Sequence, residues 1–213
     1  MRDRRIPLGV KLLYTAFVCV LVPYYWHTYG PTNFLYFCDV ALFMALVALW
    51  LEHPLWASAP AVGILLSQAL WAVDFLGGLL GFHLIGMTAY MFSPTIPLFT
   101  RTLSFFHFWL PILLLWIVWR LGYDRRALWV WTGLAWALML ISYVFLSAPP
   151  APADNPNLPV NINYVYGLSD EHPQTWMHPL AYLVLMMVGM PIGMFLPAHF
   201  VLRRVFLSPD RRV

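Results

Sequence analysis

Charge is scarce in this chain. Of 213 residues, 10% are charged, against 62% that are hydrophobic. A soluble domain carries about a quarter charged residues, so the composition excludes an ordinary water-soluble fold. Lysine is almost missing: Lys11 is the single one. Without a lysine in a late span, a retinal Schiff base is excluded. Cysteine is limited to Cys19 and Cys38. Both fall in apolar runs, which excludes the disulfide framework of a small secreted protein and leaves the redox compartment open. No HExxH, CxxC or paired-histidine haem spacing occurs, so no metal or other cofactor is expected. There is no internal repeat. The basic residues sit at segment ends and form no stripe with interleaved aromatics, so nucleic acid is not an expected partner.

What is present is a series of apolar runs of about 20 residues, the length that crosses a bilayer as helix. The runs are too continuous for barrel strands, which alternate in segments of about 10 residues. The fold class expected is all-α, a polytopic membrane helix bundle forming a single domain over 1–213 with about six spans. The spans fall near 7–27, 33–51, 55–80, 97–120, 127–147 and 177–202. The N-terminus has the basic start of a signal peptide but lacks a small-residue cleavage site, and it ends in Tyr24, Tyr25 and Trp26. It reads as an uncleaved first span. The stretch 82–97 is too short to cross and is expected to lie in the interface or re-enter. A Pro- and Asn-rich loop occupies 148–176.

Lysine and arginine set the orientation. Arg2, Arg4, Arg5 and Lys11, then Arg120, Arg125 and Arg126, then Arg203, Arg204, Arg211 and Arg212 fall on one side of six spans. Both termini are therefore expected to be cytoplasmic, in a multi-pass protein of the cell membrane with membrane lipids as its partners. Composition leaves the oligomeric state open.

The few polar residues inside the spans fall at one depth. Read as helix from Asn33, Asp39 lies six residues, or about 9 Å, below the outer surface. Asp74 is near the outer end of an ascending span. Arg101 is near the surface of a descending one, and His107 is again about 9 Å deeper. Buried ionisable groups in a membrane usually face one another or a watery cavity. A polar pocket in the outer half is therefore expected, holding Cys38, Asp39, Asp74, Arg101, Ser104 and His107. Asp74, Gly77, Gly78 and Gly81 share one helix face, small enough for close approach. Arg101, Ser104 and His107 follow one another at three-residue steps. Plainer roles are open too: a structural ion pair between Arg101 and Asp39 or Asp74, a small buried thiol at Cys38, and an interfacial place for His27, His53 and His199.

The segments "FLYFCDVALF", "WAVDFLGGLLG", "RTLSFFHFWLPI" and "NINYVYG", in that order between residues 33 and 182, resemble the YwaF-type family of small integral membrane proteins. That family is related to transmembrane acyltransferases that use a cysteine and a histidine, and more distantly to androgen-induced-protein hydrolases. The resemblance implies Cys38 as nucleophile, His107 as its base, and Asn163 and Tyr164 as the family's Asn-Tyr motif. The chain departs from that family in having Tyr36 and Phe37 where the family carries a histidine shortly before the cysteine.

Three functions fit these residues. The first is acyl transfer or ester hydrolysis, with the imidazole taking the thiol proton, Asp39 orienting the imidazole or pairing with Arg101, and Arg101 holding a lipid phosphate. The second is a proton-coupled carrier. The third is a non-catalytic partner for a lipid or another membrane protein.

Overall fold

In the computed structural model, residues 6–82 and 86–206 are described. The arginines at 2, 4, 5, 211 and 212, and His83 of the interfacial stretch, lie outside them. Among the described residues the fold is all-α. Its main helices are α1 (Leu8–Tyr29), α2 (Phe37–Leu51), α3 (Pro54–Leu79), α4 (Leu98–Leu121), α5 (Ala127–Phe145) and α6 (Pro179–Phe206). Five are long and apolar enough to cross a bilayer; α2, with 15 residues, is the exception.

The shortness of α2 has a local cause. Gly30 takes φ +80°, and Pro31 then opens a 3₁₀ turn, Pro31–Leu35. That turn uses residues whose apolar character suits a helix. The turn and α2 together still travel the height of α1. At one end Gly30 and the turn link them. At the other, Lys11 pairs with Glu52, just beyond α2. Between these ends, Tyr14 donates to the Leu42 carbonyl at 2.8 Å and Trp50 Nε1 to Thr15 at 3.0 Å. From Lys11 to Tyr29 is about 27 Å of helix, close to a hydrocarbon thickness. Among the described residues, five membrane-length helices and the shorter α2 thus follow one another through the bundle.

Glu52 ends α2 in a left-handed conformation, φ +50°. His53 Nδ1 then accepts from Leu55 N–H at 3.3 Å, capping α3. α3 is the central helix, packing against α2, α4, α5 and α6. Its buried face is small: Ala57, Ser58, Ala59, Ala61 and Gly63. Without a hydrophobic force between helices in lipid, such small residues give the close contact that holds the bundle. At Gly63 the fully buried Trp131 indole of α5 occupies the space that a Cβ would fill. Outward, Leu13, Leu79, Trp129, Phe145 and Ile192 are exposed, the lipid-facing complement of this core.

α4 is interrupted at Phe105, whose N–H reverts to the Thr102 carbonyl. α6 carries a π turn, Pro191–Phe195, where Pro191 has no N–H for the helix ladder. The stretch 82–97 holds only the four-residue helix Ala89–Phe92 among its described residues. His199, near the end of α6, is buried and shares a 2.7 Å hydrogen bond with the Tyr123 hydroxyl. The tight α4–α5 turn brings that tyrosine beneath α6. In the same turn, Ser58 accepts from Asp124 N–H at 3.0 Å, and Arg126 holds the Asp124 carboxyl below its ordinary value.

Candidate functional site

A cavity of about 500 Å³ lies between α1, the start of α2, α3 and α4, beneath the 148–176 loop. That volume suits a small ligand. Cys38, Asp39, Ser104, His107, Asn163 and Tyr164 all line it, so six of the eight residues singled out in the sequence meet in one place.

Cys38 and Asp39 enter from the first turn of α2, not two turns down, because the helix starts at Phe37. The positive end of the helix dipole therefore lies at both groups. Asn163 fixes this start from 126 residues away. Its Oδ1 accepts from Phe37 N–H, and its Nδ2 donates to the Leu35 carbonyl, both at 2.9 Å. The Asn-Tyr motif thus has a physical role: it caps α2 and ties the loop over the cavity. Asn161 braces the same loop. Its Nδ2 reaches the Gly167 carbonyl at 2.9 Å and Asp170 Oδ1 at 3.3 Å, and its Oδ1 accepts from Tyr166 N–H. Asn161, Asn163 and Tyr164 all take positive φ, a region that asparagine tolerates better than most residues. Burial under the loop raises the Tyr164 phenol above its ordinary value.

The Asn163→Ala variant removes one buried and one partly buried hydrogen bond and a helix cap. We expect it to cost about 1–2 kcal/mol and to open the 148–176 loop to protease. Unchanged thermal unfolding in detergent and unchanged cleavage would contradict this capping role.

The Cys38 thiol donates to Asp39 Oδ2, with Sγ and oxygen 3.7 Å apart. The imidazole of His107 has a different partner: its Nδ1 lies 3.1 Å from Gln68 Oε1. With the amide oxygen accepting, Nδ1 carries the proton and Nε2 keeps its lone pair. The ring packs on Trp71, centroids 5.3 Å apart. Thiol and imidazole share the cavity, but no hydrogen bond joins them. Ser104 Oγ is 2.8 Å from the Tyr25 hydroxyl.

Arg101 and Asp74 do not line the cavity. The step from Arg101 to His107 crosses the break at Phe105, so the three-residue spacing does not keep Arg101 on the cavity face. Arg101 Nη1 donates to the Met91 carbonyl at 3.2 Å. Asp74 is buried and accepts from Thr88 N–H at 2.9 Å, Thr88 Oγ1 at 2.7 Å and Gly86 N–H at 3.1 Å. It clamps the turn that carries Met87 and Tyr90, which do line the cavity. Gly78, on the face expected to allow close approach, leaves room for the Phe92 ring of that same segment. Arg101 forms an ion pair with neither Asp39 nor Asp74; the former carboxylate has the thiol and the latter the turn amides.

No family model matches the chain, and no curated protein or solved structure does so either.

Gln68, Trp71, Tyr25, Tyr36, Tyr90 and Asp170 are among the other lining residues and were not expected at the site from the sequence. Gln68 had one usable signal, as an amide in the middle of an apolar run. Among the described residues, no three of His, Cys, Asp and Glu converge as metal ligands.

Proposed function

We propose that the chain is a multi-pass protein of the cell membrane, with both termini cytoplasmic, that transfers or hydrolyses acyl esters of lipids at Cys38. The reading is supported by one observation above the others: a thiol, a carboxylate and an imidazole with a free Nε2 line the same cavity. The likeness of four short motifs to the YwaF-type family points the same way.

The geometry favours a division of labour that differs from a simple cysteine–histidine pair. Asp39 already accepts the thiol hydrogen, so it takes the proton as the sulfur attacks the ester carbonyl. The carbonyl oxygen becomes the oxyanion of a tetrahedral intermediate. Collapse breaks the ester C–O bond, and the departing alkoxide recovers the proton from Asp39, leaving a thioester on Cys38. His107 Nε2 then removes a proton from an incoming hydroxyl, of a lysolipid or of water, as that oxygen attacks the thioester. The imidazolium returns its proton to the leaving thiolate, and the starting state is restored. Gln68 holds the ring in the tautomer this step requires. Arg101 is outside the cavity, so no phosphate-holding role is assigned to it.

The test is lipid-ester turnover by the purified chain in bilayer discs. His107→Ala is expected to lower it by about 10²–10⁴-fold, and Gln68→Leu by a smaller factor. A full rate in His107→Ala would overturn the proposal. A second reading has one observation in its favour: the thiol and imidazole are not hydrogen-bonded to each other. On that reading the cavity binds a ligand without reacting with it, and Cys38 variants retain binding with no turnover to lose.

A further inference from the structure

The polar groups that line the cavity are not balanced in charge. Among the described residues of its lining, Asp39 and Asp170 supply two carboxylates, and there is no lysine or arginine. Asp170 is exposed, near the surface. Asp39 is deep, only 3% exposed, and its Oδ1 has no hydrogen-bond partner. A buried carboxylate oxygen with no donor is costly unless something in the cavity supplies one. The Trp71 indole, 4% exposed, is also in the lining; its Nε1–H lies beside the Tyr90 hydroxyl but forms no well-aligned hydrogen bond with it. The remaining polar wall is rich in phenols, among them Tyr25, Tyr29, Tyr36 and Tyr164.

Each of these features has a ligand counterpart. A phosphate or carboxylate entering here meets two carboxylates and no guanidinium or ammonium to neutralise it, which disfavours anions. A cation finds an acceptor in Asp39 Oδ1 and an electron-rich aromatic surround, the environment that recognises quaternary and primary ammonium groups. The Trp71 N–H adds a donor for an oxygen on the same ligand. We infer that the cavity is a binding site for an organic ammonium group carrying a nearby oxygen, such as an amino alcohol. The ammonium belongs either to a free amine or to the headgroup of a lipid. The inference rests on the cavity being the functional site, but it does not require chemistry at Cys38.

Binding is therefore measured on Cys38→Ala, in which acyl transfer is removed, as well as on the unmodified chain. Labelled choline is used in equilibrium dialysis, with 3,3-dimethylbutan-1-ol as its neutral carbon counterpart of the same shape. The full chain is held in discs of phosphatidylglycerol and, separately, of phosphatidylcholine. Choline is expected to bind about 30-fold more tightly than the neutral alcohol, equally in the chain and in Cys38→Ala. Asp39→Asn is expected to remove most of that preference. If Asp39→Asn fails to fold, Asp170→Asn, at an exposed position, is expected to weaken choline about threefold at low salt. Displacement of choline by phosphatidylcholine but not phosphatidylglycerol assigns the ammonium to a lipid headgroup. Equal binding in both discs assigns it to a soluble amine. Equal affinity for choline and the neutral alcohol in phosphatidylglycerol discs overturns the inference. Loss of turnover in Cys38→Ala with choline binding retained separates this result from the catalytic proposal.

Discussion

Replacing Cys38 by alanine is expected to reduce lipid-ester turnover by at least about 10³-fold while leaving the bundle folded. The two halves of that expectation have separate grounds. The sulfur donates to Asp39, and removing a covalent nucleophile leaves only what binding and the polar surround contribute. Stability depends little on it. Cys38 is partly exposed, and its sole side-chain hydrogen bond is long at 3.7 Å. The lost packing costs about 1 kcal/mol or less. Cys38→Ser keeps the shape and the hydrogen bond but supplies a poorer nucleophile, so it should also be folded and nearly inactive. Parallel unfolding curves for the three proteins, with turnover in one, are the result that separates chemistry from structure. An alanine variant that unfolds well below the unmodified chain would mean that the thiol holds the bundle together.

The second large effect is on stability and lies at the crossing of α3 and α5. A Cβ at Gly63 would sit 1.7 Å from Trp131 Cε2 and within 2.3 Å of two further atoms of that indole. The ring is fully buried and has no open side to move into. Either it leaves its rotamer or the helices separate, and overpacking of this kind costs about 3 kcal/mol or more. The effect also reaches the cavity, because Trp131 packs edge-on against Phe37, centroids 6.1 Å apart, and Phe37 adjoins Cys38. Gly63→Ala should therefore lower the unfolding midpoint in detergent by about 10 °C, using 2–4 °C per kcal/mol for a chain of this size. Gly133→Ala is the control. It lies in the same α5, and nothing is within 4 Å of its Cβ position, so it should be neutral or raise stability by about 1 kcal/mol. Equal midpoints for the two variants would contradict the packing described at this crossing.

The bundle itself was legible in the sequence, since apolar length decides what crosses a membrane. Antiparallel passes then convert residue number into depth, which is why Cys38, Asp39 and His107 could be placed together before any coordinates. The same reasoning misplaced details that depend on distant contacts. Asn33 to Tyr36 suit a helix by composition, yet α2 starts at Phe37. Its cap is Asn163, and no local pattern links positions 126 residues apart. Arg101 follows the spacing of Ser104 and His107 but falls beyond the break at Phe105. Gly30 and Pro31 do carry a local signal for the turn that shortens α2.

The tyrosines were the larger omission. A tyrosine at the end of an apolar run fits an aromatic belt at the membrane surface. Tyr25 and Tyr36 instead turn inward, with hydroxyls on Ser104 and on the Val160 carbonyl. Composition alone does not distinguish those two uses. Gln68 was missed for a related reason: a lone amide in an apolar helix signals a partner but does not name it.

The most direct measurement is the mass of the intact chain after brief incubation with a lipid ester. The account predicts an added acyl mass that maps to Cys38, is released by hydroxylamine, is lost in Cys38→Ala and accumulates in His107→Ala. A chain that turns over ester at the same rate with and without Cys38, and never acquires that mass, would contradict it.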